Sequence, residues 1–315
     1  MKTLITIIAP MYNEEAMVYV YTETVLNILT QIEDKYDYEV LFVHDGSKDD
    51  TLLKMKEMQL KYPVYIGIVN LSRNFGLEGA VNAGLRTAKG DIIVVMDADL
   101  QDPPLLILDM IKKWENGADI VVASRVDRSK DNFFKRFSAY IYYYLLDSLS
   151  GKLKLEKNAA NYRLLSRKAV NKLLELPEVN TYFRVNVPFI GMKTEKVEYS
   201  RDERAAGKTN YNFSSLVRCA LDGLTSISID PLRKIALTVP VSFLILLSSV
   251  IGIICSTGMW VMTWLILFTL SLFFSLLFIC IAIISEYLGQ ILLEARHRPT
   301  SIILEYKPSE NSIKR

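Results

Sequence analysis

Asp97 and Asp99 stand one residue apart at the end of an apolar run, Asp91 to Met96, that reads as a β-strand. Successive strand side chains alternate between faces, so a spacing of two puts both carboxylates on one side. Such a pair is a grip for Mg²⁺ or Mn²⁺, hard cations that take oxygen ligands and often complete their shell with substrate phosphates. A cation held there stabilises the charge that develops on a phosphate-bearing leaving group. A lone Asp-x-Asp is ordinarily a solvated turn. Here the strand end, a companion Asp45 at a neighbouring strand end and the following LQDPP (100–104) make the combination far more specific.

These residues need elements to position them. Leu4 to Ala9, Glu39 to His44, Tyr65 to Leu71, Asp91 to Met96 and Asp119 to Ala123 are short runs rich in Ile and Val that predict strands. Between them Glu14 to Glu33, Asp50 to Lys61, Gly76 to Ala88 and Pro103 to Glu115 carry helical periodicity. Strand alternating with helix predicts an α/β fold with a mostly parallel sheet covered on both faces. Ligands of such sheets bind beyond the carboxyl ends of the strands. Polar residues gather there: PMYNE (10–14), DGS (45–47), SRNFG (72–76) and the Asp97–Asp99 pair.

The 315 residues allow one medium domain plus an appendage. From Ile235 to Ser285 no side chain is charged. At about 1.5 Å per residue and roughly 20 residues per crossing, this length predicts two membrane-spanning helices joined by a turn at Ser256 to Gly258. A buried hairpin of a soluble core would show polar residues on an outer face, and neither arm does. Arg233 and Lys234 precede the first span, Arg296, His297 and Arg298 follow the second, and the turn is uncharged, so both ends are expected on the cytoplasmic side. The expected division is a catalytic domain at 1–212, a juxtamembrane interfacial helix at 213–234, spans within 235–285 and a cytoplasmic tail at 286–315. Phe133, Phe134 and Tyr140 beside Lys135 and Arg136, within Asn132 to Leu149, suit a second interfacial segment.

Several classes are excluded. A net charge of +2 gives no bulk attraction to nucleic acid. Cys219, Cys255 and Cys280 are scattered and suit neither disulfides nor zinc. No Gly-x-Gly-x-x-Gly follows the first strand, and Asp202 stands where a P-loop ending in Gly207-Lys208-Thr209 needs its first glycine. The apolar start at Leu4 to Pro10 is too short for a signal peptide.

The motif series resembles glycosyltransferase family 2, and within it the polyprenyl-phosphate glycosyltransferases, which include bacterial undecaprenyl-phosphate glucosyltransferases and dolichyl-phosphate mannose synthases. PMYNE (10–14), DGS (45–47), LSRNFG (71–76), MDADLQDPP (96–104), YRLLSR (162–167) and RDERAAG (201–207) occur in family order, with EYLG (286–289) and Arg298-Pro299 after the spans. The resemblance covers nearly the whole chain. It implies a GT-A type nucleotide-binding domain and inverting, metal-dependent transfer of one hexose from a nucleotide diphosphate sugar, UDP-glucose first, to polyprenyl (undecaprenyl) phosphate. It also implies a multi-pass protein of the plasma (inner) membrane with its catalytic domain in the cytoplasm, and a homo-oligomer, up to a tetramer.

In that resemblance Pro10, Tyr12, Glu14, Asp45 and Asp97 bind the nucleotide, and Asp97, Asp99 and Gln101 hold Mg²⁺ or Mn²⁺ and the diphosphate. Arg125, Arg136, Arg163 and Arg204 match positions near the lipid phosphate, with Asp97, Asp99, Arg125 and Arg204 as the catalytic set. Planar guanidinium groups match phosphate oxygens bidentately, which suits two anionic substrates. Two spans and the lack of a Gln-x-x-Arg-Trp motif argue for single transfer over processive extrusion.

The chain departs from the family at His44, where many members carry a further aspartate, at Lys208 and Asn210, and at Asn161. Bacterial members usually have at the last position an aspartate regarded as the base. An amide cannot remove a proton near neutral pH. A phosphomonoester acceptor, with a second pKa near about 6, is already largely dianionic and needs positioning more than deprotonation. The alternative from another class is a catalytically impaired member serving as a nucleotide-sugar or lipid-binding scaffold. A transporter is disfavoured by spans without a buried charge.

Overall fold

Strands buried on both faces need helices on both faces, and the sequence supplies them. In the computed structural model, which describes residues 2–125, 159–178, 183–200, 232, 235, 238–255 and 258–315, β1 (Thr3–Met11) is buried at eight of its nine positions. β2 (Tyr36–His44), β3 (Ile66–Leu71), β4 (Ile92–Val95) and β5 (Ile120–Arg125) follow, separated by α1 (Val18–Leu29), α2 (Thr51–Lys61), α3 (Gly76–Thr87) and α4 (Leu106–Glu115). These five strands and four helices are those predicted, with α1, α2 and α4 starting later and α1 and α3 ending earlier than expected.

Three further strands complete an eight-stranded sheet of order β7-β5-β6-β4-β1-β2-β3-β8 among the described residues. They are β6 (Ala159–Ser166), β7 (Thr194–Tyr199) and β8 (Ile303–Lys307). β1–β2, β1–β4, β2–β3 and β5–β7 pair in parallel, while β6 lies antiparallel between β4 and β5, and β8 antiparallel on β3. β6 inserts a reversed strand beside β4, so residues that enter it from the loop side face those leaving β4.

One core lies where Ile5, Ile7, Val40 and Phe42 meet Tyr21 and Val25 of α1 and Ile107 and Met110 of α4. The other lies where Ile8, Val43 and Val95 meet Ala80, Ala83 and Leu85 of α3. On that second side are also α5 (Arg167–Leu174), capped by Ser166 Oγ accepting from the Ala169 amide, and α6 (Phe183–Phe189).

The apolar C-terminal part forms α7 (Thr238–Cys255) and α8 (Met259–Ala295), packed on each other. Among the described residues Trp260–Ala295 is the segment long and apolar enough to cross a membrane. α8 runs unbroken through Glu286 and Glu294. Its 37 residues, at about 1.5 Å each, extend well beyond roughly 30 Å of hydrocarbon.

The chain then returns to the sheet. The Ser72 amide donates to the Ile302 carbonyl at 2.9 Å, Thr300 Oγ1 to Asn82 Oδ1 at 3.1 Å, and β8 pairs with β3. Beyond β8, before α9 (Glu310–Ile313), Ser309 Oγ donates to buried Glu39 Oε2 at 2.6 Å, and Thr6 Oγ1 donates to Glu39 Oε1 at 2.7 Å. Burial raises the Glu39 pKa despite these two donors. The tail after α8 thus anchors at the β3 edge, one turn from the loop that carries SRNFG.

Candidate active site

The carboxyl ends of β1, β2 and β4 converge as adjacent parallel strands must. Pro10 is buried in β1 opposite Val43, and Met11 opposite His44. The chain turns at Asn13, whose φ of +53° is left-handed, a region that asparagine tolerates better than most residues. Its amide donates to Ser47 Oγ at 3.0 Å and its Oδ1 accepts from the Lys48 amide at 2.9 Å, tying the β1 and β2 loops together. Tyr12 and Glu14 are half-buried beside this tie, and the Glu14 amide donates to Thr51 Oγ1.

His44 closes the same turn. Its Nε2 accepts from the Ser47 amide at 2.9 Å, which leaves the Nδ1 proton for Asn70 Oδ1 at 2.7 Å. Burial lowers its pKa, so the neutral ring is the resident form.

Asp45 braces the next loop. Its two carboxylate oxygens accept the Phe75 and Gly76 amides at 2.7 and 2.9 Å. Burial pushes its pKa up to about 6, against those amides and the charge of Arg73. Gly46 makes this approach possible: its φ is +65°, and a Cβ there would stand 2.5 Å from the Arg73 carbonyl carbon and the Asn74 nitrogen. Arg73 lies over the Phe75 ring, 4.1 Å from its centroid.

The acidic pair follows β4, which ends at Val95: Asp97 lies in irregular chain and Asp99 in a turn, so the strand alternation expected to align the two carboxylates does not extend to them. Asp97 is half-exposed by surface yet packed closely enough that desolvation dominates. Burial, then Asp102 and Asp99, push its carboxyl up to about 6, while Arg184 and Arg125 pull the other way. Asp99 is buried, and its Oδ1 accepts the Gln101 amide at 3.2 Å across Leu100, whose φ of +52° is left-handed for a bulky residue. That conformation costs about 1–2 kcal/mol and turns the chain within a single residue. Among the described residues no group of three or more His, Cys, Asp or Glu side chains converges to hold a metal alone. Two carboxylates are enough for a cation that takes its remaining ligands from phosphate oxygens.

Arg125 ends β5 on the same side. Its Nε donates to the Tyr199 hydroxyl at 3.0 Å, its Nη2 lies 3.4 Å from Asp102 Oδ1, and the Tyr199 hydroxyl donates to that oxygen at 2.5 Å. Burial opposes its charge, but Asp102 and Tyr199 outweigh it and raise its pKa. Arg163 lies within β6, 2% exposed, with Nη1 donating to the Phe183 carbonyl at 3.2 Å. Arg136 and Arg204, and the interfacial segments expected at 132–149 and, but for Leu232, at 213–234, lie outside the described residues.

Three participants carried no signal in the motif reading. Tyr199 sits in β7, which was not anticipated. Tyr21 has a fully buried hydroxyl with no hydrogen-bond partner among the described residues, and the charge of Asp97 reaches it. Arg184 donates from Nε to Asn161 Oδ1 at 2.8 Å.

The model of a protein family described as "Glycosyl transferase family 2" matches residues 6–174. The bactoprenol glucosyl transferase of Shigella phage SfV is 36% identical over 320 residues, 96% of this chain and 99% of that protein. The uncharacterized glycosyltransferase YkcC of Bacillus subtilis is 36% identical over 323 residues, 97% of this chain and 95% of that protein. A solved structure, glucosyl-3-phosphoglycerate synthase from Mycobacterium tuberculosis with Mn²⁺, UDP and glucosyl-3-phosphoglycerate, is 19% identical with a TM-score of 0.49, covering 71% of this chain and 78% of that one.

Proposed function

The chain belongs to glycosyl transferase family 2, and from that premise we propose that it moves a single hexose from a nucleotide diphosphate sugar, UDP-glucose first, to a polyprenyl phosphate such as undecaprenyl phosphate, with inversion at the sugar. The observation that carries this reading is that Asp97 and Asp99 follow β4 where the charges of two cations, Arg125 and Arg184, act on Asp97. That arrangement suits a diphosphate leaving group. The lipid acceptor is supported by a relative named for bactoprenol and by α8, whose returning tail fixes an apolar helix to the β3 edge of the site.

In the proposed reaction an oxygen of the lipid phosphate forms a bond to the sugar's anomeric carbon. The bond from that carbon to the β-phosphate oxygen breaks, and its electron pair stays on the departing nucleoside diphosphate. Asp97, Asp99 and Gln101 are positioned to hold Mg²⁺ or Mn²⁺, which when bound supplies positive charge to that leaving group. Pro10, Tyr12, Glu14 and Asp45 frame the nucleotide pocket, Asp45 by bracing the 72–76 loop. Arg125, held by Asp102 and Tyr199, is the described member of a set, with Arg136, Arg163 and Arg204, that we assign to the acceptor phosphate; Arg136 and Arg204 lie outside the described residues, and Arg163 is buried in β6. No residue needs to remove a proton, because the acceptor is already ionised; Asn161 is compatible with turnover on these terms.

Acceptor and donor meet at the cytoplasmic face of the membrane in this reading, and the product is a polyprenyl-phosphate sugar for envelope glycosylation. The test is a donor screen: membranes containing the protein are incubated with single nucleotide sugars and undecaprenyl phosphate, and the extracted lipid is weighed by mass spectrometry. One donor should add one hexose mass to the lipid, and Asp99→Asn should abolish the addition. Unmodified lipid with every donor, beside a working control enzyme, would refute the proposal.

A further inference from the structure

We infer that Arg184, oriented by Asn161, is a further phosphate-directed residue of the active site, beside Arg125. This deepens the transferase reading above and rests on it. The ligand it serves is a phosphate: the diphosphate of the donor or the phosphomonoester of the acceptor.

The placement follows from register. In the antiparallel β4–β6 ladder Val95 pairs with Arg163. Asn161 lies two residues along β6 from Arg163, in the direction in which the chain leaving β4 runs on to Asp97. Asn161 is 6% exposed, and its Oδ1 accepts from Arg184 Nε at 2.8 Å. The charge of Arg184 acts on both Asp97 and Glu78.

The backbone that carries Arg184 is pinned. The Phe183 amide donates to Glu78 Oε2 at 2.8 Å, the Phe183 carbonyl accepts Arg163 Nη1 at 3.2 Å, and the Arg163 guanidinium lies 5.4 Å from the Phe183 ring centroid. Helix α3 and strand β6 thus hold the residue just before Arg184 from two sides. An amide at Asn161 fixes the guanidinium through Nε without cancelling its charge, whereas a carboxylate there would do both. The Nη edge keeps the planar geometry that matches phosphate oxygens. Arg125 is tied to Asp102 and Arg184 to Asn161, so the two arginines whose charges act on Asp97 are braced by different elements. A merely bracing arginine would serve β6 alone and would not alter substrate affinity.

The experiment uses the full chain in lipid nanodiscs and compares wild type with Arg184→Gln, Arg184→Lys and Asn161→Ala. UDP with Mn²⁺ probes the diphosphate by calorimetry. UDP-glucose and undecaprenyl phosphate probe each substrate by steady-state kinetics. Loss of one charge-assisted hydrogen bond to phosphate predicts that Arg184→Gln weakens one phosphate ligand roughly 10- to 100-fold. Arg184→Lys recovers part of that loss, and Asn161→Ala weakens the same ligand by a smaller factor.

A rise in the UDP dissociation constant assigns the donor. A rise confined to the undecaprenyl phosphate KM assigns the acceptor. Should all three variants melt with the wild type and bind both ligands within twofold of it, the inference is overturned. If Arg184→Gln does not fold, Arg184→Lys and Asn161→Ala decide the matter by the same criterion. Wild-type protein that binds UDP and Mn²⁺ but transfers nothing would refute the functional reading instead, leaving the calorimetric comparison to judge Arg184.

Discussion

Replacing Gly46 with alanine attacks the closest backbone approach at the site. The substitution meets two penalties. A φ of +65° places a β-carbon in the left-handed region, which costs about 1–2 kcal/mol. The new carbon would also stand 2.5 Å from both the Arg73 carbonyl carbon and the Asn74 nitrogen. Those are backbone atoms and cannot rotate away, so one loop must retreat by about an ångström, a strain typical of overpacking at about 1–3 kcal/mol. Gly117 is the matched control. Its φ is +87°, yet the nearest atom to an added Cβ is the mobile Lys193 Nζ at 3.6 Å, so Gly117→Ala meets the first penalty alone.

The expected difference between the two variants is thus about 1–3 kcal/mol, or roughly 2–12 °C in melting temperature at about 2–4 °C per kcal/mol. Function separates them further. The retreating loop carries the Phe75 and Gly76 amides that Asp45 holds, so Gly46→Ala should weaken UDP binding at least tenfold, while Gly117→Ala leaves it unchanged. Thermal melts and UDP calorimetry on both proteins give the answer. Equal melting temperatures and equal UDP affinities would show that the β2 and β3 loops are not locked as described.

Other outcomes follow from the same geometry. Asp45 and Asp97, both pushed up to about 6, must be charged for substrate and cation binding, so activity should fall as pH drops through about 6, and saturating Mn²⁺ should move that limb lower. Because the folded protein holds these protons more tightly than the unfolded chain, their contribution to stability runs the other way, rising as pH falls from about 6 towards the ordinary carboxylate value. A melting series without ligand, set beside the rate profile, checks the opposed signs; parallel trends for wild type and for Asp45→Asn would contradict it. Tyr21→Phe removes a buried hydroxyl that has no partner among the described residues and should raise stability by about 1 kcal/mol; a large loss of activity in that variant would instead assign the hydroxyl to Asp97 during turnover. Ser309→Ala withdraws a donor from buried Glu39 and should cost about 1–3 kcal/mol in a chemical melt while leaving UDP affinity intact. An unchanged melt would mean the tail is not anchored there.

Much of this was legible in the sequence because its signals are local. The Ile- and Val-rich runs of β1 to β5 are buried on both faces, so composition alone marked them. The Asp97–Asp99 spacing and Asp45 at a strand end were readable for the same reason. Asn161 was visible as a residue but not as a partner, since its pairing with Arg184 depends on β6 reversing beside β4. Three strands escaped for related reasons. β6 carries polar Asn161 and Arg163 among its apolar residues, β7 alternates as a half-exposed strand, with Val197 and Tyr199 inward and Lys196 and Glu198 outward, and β8 follows the membrane segment at the sheet edge. Tyr199 and Arg184 reach the site only through those non-local pairings, which no spacing records.

The most direct test of the central claim watches the bond itself. Phosphorus NMR of the protein in nanodiscs with undecaprenyl phosphate, UDP-glucose and Mg²⁺ should show the lipid phosphomonoester signal give way to a phosphodiester, as free UDP appears in equal amount. The Asp97→Asn protein should show neither change. UDP released while the lipid remains a monoester would contradict the account.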